Sequence, residues 1–204
     1  MRSVAALVAA TAVALSIAGC AAKQARKSVP RRPAAAVAVN MPRGIVYCLV
    51  GEDGVRLPKT YTRWPLPSLA VPLLTGVCAA PPSPGEAWAE KSVTDAVQIV
   101  RKLQASDVIR RGVTITAVDV SNFAGRVNRT RSEFRVLAEN NCVIDWGRAP
   151  GTTAPGELPA EEKVAKLERF LRDRHPTSNR TLDLRFAGRV LVRRRLGRNG
   201  DSSE

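Results

Sequence analysis

The sequence predicts an α+β domain: a largely antiparallel sheet with two helices packed on one side. Short β-branched or alternating apolar runs recur between turn signals, and two stretches with helical apolar spacing interrupt them. The resulting order is β-β-α-β-β-β-α-β-β, in which hairpins dominate the connections.

Taken along the chain, Ile45 to Val50 is a continuous apolar run fit for a buried strand, Glu52-Asp53-Gly54 supplies a turn, and Val55-Arg56-Leu57-Pro58 returns. The prolines from Trp64-Pro65-Leu66-Pro67 onward exclude a central strand and predict an ordered, partly buried connection through Leu73-Leu74-Thr75-Gly76-Val77. Ser83-Pro84-Gly85-Glu86 has capping-box spacing with proline at the first helical position. It predicts a helix over 84–104, with Ala89, Val93, Ala96, Val97, Val100 and Leu103 on one face. Val113 to Val120 reads as a strand, and Glu133 to Ala138 pairs with Cys142 to Trp146 across Glu139-Asn140-Asn141, where asparagine tolerates positive φ. A second helix, 159–173, has Glu161 and Glu162 near its start, Arg172 near its end, and a stripe of Val164, Leu167, Phe170 and Leu171. Leu182, Leu184 and Phe186 then alternate with polar residues, and Ala187-Gly188 turns the chain into Arg189 to Arg194.

The first residues carry a different signal. Val4 to Ala22 holds no charge and follows Arg2, as in an export signal. Ile17-Ala18-Gly19-Cys20 is similar to the lipobox of bacterial lipoproteins, which implies lipid on Cys20 and a membrane-anchored domain in the periplasm of the cell envelope. An uncleaved signal anchor over the same residues is the alternative. Residues 20–44, rich in Lys, Arg, Ala and Pro, are expected to be a linker. The domain then runs 45–196, with a disordered tail over 197–204.

The chain has 32 basic and 18 acidic side chains, a formal charge of +14. Export turns that charge away from nucleic acid and toward anionic lipid or an acidic protein. Beyond Cys20 there are three cysteines, Cys48, Cys78 and Cys142, no CxxC and one histidine, His175, which does not suit a metal site. Free buried thiols are the reading, with a Cys48–Cys142 disulfide as the alternative. Nor is there a nucleophile beside an oriented base, so neither enzymatic activity nor a cofactor is expected.

Four segments resemble one family. Val50-Gly51-Glu52-Asp53-Gly54-Val55-Arg56-Leu57-Pro58, Leu73-Leu74-Thr75-Gly76-Val77 ahead of a helix, Ile144-Asp145-Trp146-Gly147-Arg148, and Leu182-Asp183-Leu184-Arg185-Phe186-Ala187-Gly188-Arg189-Val190 are similar, in order and spacing over about 45–195, to the extracytoplasmic β domain of FtsQ/DivIB cell-division proteins. The small POTRA domain that precedes it in the family has no counterpart between Cys20 and Ile45. The resemblance implies a septal scaffold without catalysis, whose last strands receive an extended segment of an FtsB/FtsL-type partner. It places Arg148 and Arg185 against partner carboxylates and Phe186 at the interface, with Gly188, Val190 and Val192 supplying backbone and apolar contact. Read from composition alone, Arg185 is a solvated residue beside Asp183, Phe186 is core, and the basic excess of Lys163 to Arg198, 12 basic against 3 acidic residues, is a surface for an anionic envelope component.

Overall fold

The structure, a computed structural model, describes residues 31–64, 70–152, 154–173 and 177–194. The expectations for the leader, Cys20, the first part of the linker (20–30), His175 and the tail lie outside the described residues.

The fold is α+β, as the sequence predicts, but its sheet is larger and more mixed. Nine strands are described: β1 (Pro33–Met41), β2 (Gly44–Gly51), β3 (Arg56–Tyr61), β4 (Leu73–Thr75), β5 (Ile115–Asp119), β6 (Phe134–Ala138), β7 (Cys142–Gly147), β8 (Arg180–Asp183) and β9 (Leu191–Arg194). Their order across the sheet is β3-β2-β1-β4-β5-β6-β7-β8-β9. Neighbours are antiparallel except at β1·β4, β4·β5 and β7·β8. Helices α1 (Lys91–Ala105), α2 (Asp107–Gly112) and α3 (Ala160–Arg172) pack on one side of it.

The register explains why one face holds the core. Cys48, Val37, Leu74, Val118, Val136, Ile144, Leu182 and Val192 are successive cross-strand partners, so one apolar row traverses the sheet from β2 to β9. Val93, Ala96, Val97, Val100 and Leu103 of α1, with Leu167 and Phe170 of α3, cover that face. Ala36, Leu49 and Leu57 point to the other face, where Tyr61, Trp64, Val71 and Leu73 form a smaller cluster with them.

Three expectations are corrected. Residues 33–41, assigned to the linker, form β1, and Ala35, Ala36 and Val37 are almost wholly buried. Small side chains on a strand covered on both sides leave no alternation to read. The stretch ending in Leu73-Leu74-Thr75 does hold a central strand: β4 lies between β1 and β5, parallel to both. Its prolines all precede the strand, and Pro72 takes part only through its carbonyl, which accepts from the Ala36 N–H at 3.0 Å. The first helix begins at Lys91, not at 84. Glu86 does accept the Ser83 N–H at 3.1 Å, as a capping box requires. Gly85, at φ +91°, instead sends the chain along the start of β3: Gly85 N–H donates to Arg56 O and Arg56 N–H to Glu86 O, at 2.8 and 2.9 Å. The short helix α2 is an addition, capped by Ser106 Oγ accepting from Ile109 N–H at 3.3 Å.

Cys48 and Cys142 are buried thiols, and Cys78 is an exposed one. Five strand steps, about 24 Å, separate β2 from β7. That is far beyond the roughly 7 Å between Cα atoms that a disulfide spans. Burial pushes the Cys48 thiol pKa up, against the lowering effect of Arg56.

Candidate partner-binding site at the C-terminal strands

The six predicted contact residues fall into two adjoining sites at the β8–β9 end of the sheet. Arg148, Arg185 and Phe186 line a pocket of about 150 Å³, together with Arg129, Arg131, Glu133 and Glu157. Gly188, Val190 and Val192 line a groove of about 910 Å³ against Lys166, Arg169 and Phe170 of α3. Val192 stands at the end of the apolar row, on the last strand of the sheet, and is only partly buried.

Arg185 is not solvated. Its Nε and Nη2 donate to the two carboxylate oxygens of Asp183 at 3.0 and 2.7 Å, and Nη1 donates to Thr130 O at 3.2 Å. Its guanidinium carbon also lies 5.0 Å from the centre of the Phe186 ring. Asp183, 3% exposed, accepts the Arg185 N–H as well. Burial alone would raise the Asp183 pKa; the Arg185 side-chain and backbone hydrogen bonds and its charge outweigh burial and hold the carboxyl below its ordinary value. Arg185 is therefore a clamp joining β8 to the loop at Thr130, with its donors largely committed.

Phe186 is not core. It is 45% exposed, packed on one side by Arg185, and its carbonyl accepts from Lys166 Nζ at 2.6 Å. Arg148 is the more available cation: its side chain is about half exposed and meets Glu133 only at 3.7 Å. Burial raises the Glu133 pKa, against the lowering effect of Arg148.

Beneath the pocket sits an ion pair that composition does not reveal. Lys163, 2% exposed on the inner face of α3, donates to Glu157 Oε1 at 2.5 Å, and its Nζ lies 5.2 Å from the centre of the Trp146 ring. Desolvation lowers the Lys163 pKa, against the raising effect of Glu157. Glu157 Oε1 also accepts the Arg148 N–H at 2.7 Å. Gly147 makes room for this: at φ +96°, a Cβ there would land on the Glu157 carboxylate and 2.9 Å from Arg185 Cγ.

Sequence reasoning passed over Arg129 and Arg131. Both line the pocket, and no ion pair among the described residues involves them. The signal was the density of arginine in Arg126-Val127-Asn128-Arg129-Thr130-Arg131.

The chain matches no protein-family model, and no curated protein matches it. Among the described residues, no helix is long and apolar enough to cross a membrane and no group of His, Cys, Asp or Glu is arranged to hold a metal ion.

Proposed function

We propose that this protein is a membrane-tethered, non-enzymatic scaffold that binds an extended segment of a partner by strand addition to the outer edge of β9. The observation that carries this reading is the difference between the two edges of the sheet. At β3 the start of the edge is occupied: Arg56 exchanges main-chain hydrogen bonds with Gly85 and Glu86, Gly54 O accepts from Trp88 N–H at 3.2 Å, and Pro58 has no N–H to offer. At β9 nothing among the described residues pairs on the side away from β8. An added strand would draw affinity from those main-chain groups. Its side chains would alternate between the α3 groove and the opposite face, and Arg129, Arg131 and Arg148 would favour carboxylates near the pocket. The similarity to FtsQ/DivIB β domains supports an FtsB/FtsL-type partner and a role in septum formation during cell division.

Truncating the chain after Phe186 tests this. The expected result is loss of the co-purifying division protein from membrane extracts, with the far-ultraviolet circular dichroism of the domain retained. Undiminished capture by a folded truncated protein would sink the reading.

A further inference from the structure

The other end of the sheet has a surface that strand addition does not use. The β1–β2 hairpin turns at Met41-Pro42-Arg43-Gly44-Ile45, and all five residues are exposed, Met41 at 48% and Ile45 at 49%. Beside Ile45, on the same face of β2, Tyr47 stacks on Trp64 with ring centres 5.5 Å apart and pairs across the strands with Tyr61. Tyr47, Tyr61 and Trp64 are each partly exposed, so the small outer cluster under β1–β3 runs out into an accessible aromatic corner. At β5–β8 the same face is charged, with Asp119 opposite Arg135, Arg135 opposite Asp145, and Asp145 opposite Asp183.

Charge sharpens the contrast. From Arg31 to Gly85 the chain has only two carboxylates, Glu52 and Asp53. Both sit in the turn at the far end of β2, about 24 Å from the hairpin tip, and both have partners, in Arg101 and Arg31. Arg43, Lys59 and Arg63 edge the aromatic corner, and no ion pair among the described residues involves them. Exposed apolar side chains at a hairpin tip, amphipathic Trp and Tyr rings behind them and unpaired cations around them match the chemistry of an anionic bilayer surface.

We infer that the β1–β2 tip and the Tyr47–Trp64 corner rest on the surface of an anionic lipid bilayer. The contact does not depend on the strand-addition reading, because β3 and β9 are eight strand steps apart, about 38 Å. It would orient the domain with β9 held away from the lipid.

Tryptophan emission tests the inference in the full chain, because Trp88 and Trp146 are buried at 4% and 0% exposure and Trp64 is the accessible one. The protein is placed in vesicles whose acyl chains carry bromine, either phosphatidylcholine alone or mixed with phosphatidylglycerol. Quenching is expected in the phosphatidylglycerol vesicles, and Trp64→Phe should abolish it. Met41→Ser with Ile45→Ser, or Arg43→Glu with Lys59→Glu and Arg63→Glu, should lower the ratio of docked to undocked domain at least tenfold, since each cation near such a surface is worth about fivefold. All these positions are exposed or partly exposed, and circular dichroism checks that the variants fold. Emission unchanged by bromine with the protein in the vesicle pellet would overturn the inference. So would quenching equal in neutral vesicles and indifferent to the cation variants, or quenching that survives Trp64→Phe. A lipid-free shift in emission that grows with protein concentration, with a dimer in sedimentation, would assign the corner to a second copy of the chain instead.

Discussion

The Asp183–Arg185 pair shows how a residue expected on the surface becomes part of the framework. Asp183 ends β8 and Arg185 lies two residues beyond it, so the sequence brings them together; only the loop carrying Thr130 turns them into a buried clamp. Their pH dependence follows from the depressed Asp183 pKa. The folded protein binds this proton less readily than the unfolded chain, so the pair's contribution is complete above the unfolded carboxyl value, about 3.9. It is lost as pH falls through the lower folded value. Urea unfolding between pH 5 and pH 2 should show the wild type losing stability in that window. Asp183→Asn should be weaker near pH 5, flatter below about pH 4 and closer to the wild type as pH falls toward 2; an acid limb as steep as the wild type's would contradict the assignment.

At the scale of elements, α3 is docked through a charged residue as well as an apolar stripe. Leu167 and Phe170 are buried as the periodicity predicts, while Val164 and Leu171 are only partly covered. Lys163, read as solvated by any pattern of polarity, is buried against the Glu157 loop. Removing one member of a buried pair leaves the other uncompensated, which typically costs about 3–5 kcal/mol. Lys163→Met should therefore destabilise the domain by about 3 kcal/mol, and Lys163→Met with Glu157→Gln by clearly less. Chemical denaturation of the two single variants and the double variant measures the coupling; strict additivity would remove the pair from the account. The corrections at β1 and β4 belong to this scale too. Neither strand alternates, because β1 has small side chains facing both clusters and β4 is a three-residue bridge between parallel neighbours.

Over the whole molecule, charge is distributed unevenly along a sheet whose β3 edge is covered only at its start and whose β9 edge is open among the described residues. The cations around β9 are numerous, and Arg129, Arg131 and Arg148 are weakly committed or uncommitted. Long-range attraction of an acidic partner acts mainly on encounter, so salt should slow association while changing dissociation little. Between about 0.1 M and 1 M salt the screening length falls from about 10 Å to about 3 Å. The association rate of the partner captured with the full chain is expected to drop at least tenfold over that range in stopped-flow mixing. A rate indifferent to salt would mean that these arginines do not steer it.

The α+β class, the β2–β3 and β6–β7 hairpins, the buried face of α1 and the position of α3 are all legible along the chain, because turn residues and apolar period are local properties. The grouping of Arg148, Arg185, Phe186, Gly188, Val190 and Val192 came from the resemblance to FtsQ/DivIB β domains. That Pro33–Met41 and Leu73–Thr75 complete the middle of the sheet emerges from the fold alone, since a strand covered on both faces or made of three residues has no local signature. The fold also decides which charges are spent. Arg185 and Lys163 look like free cations along the chain, and the fold closes both against carboxylates, leaving Arg129, Arg131 and Arg148 to face outward.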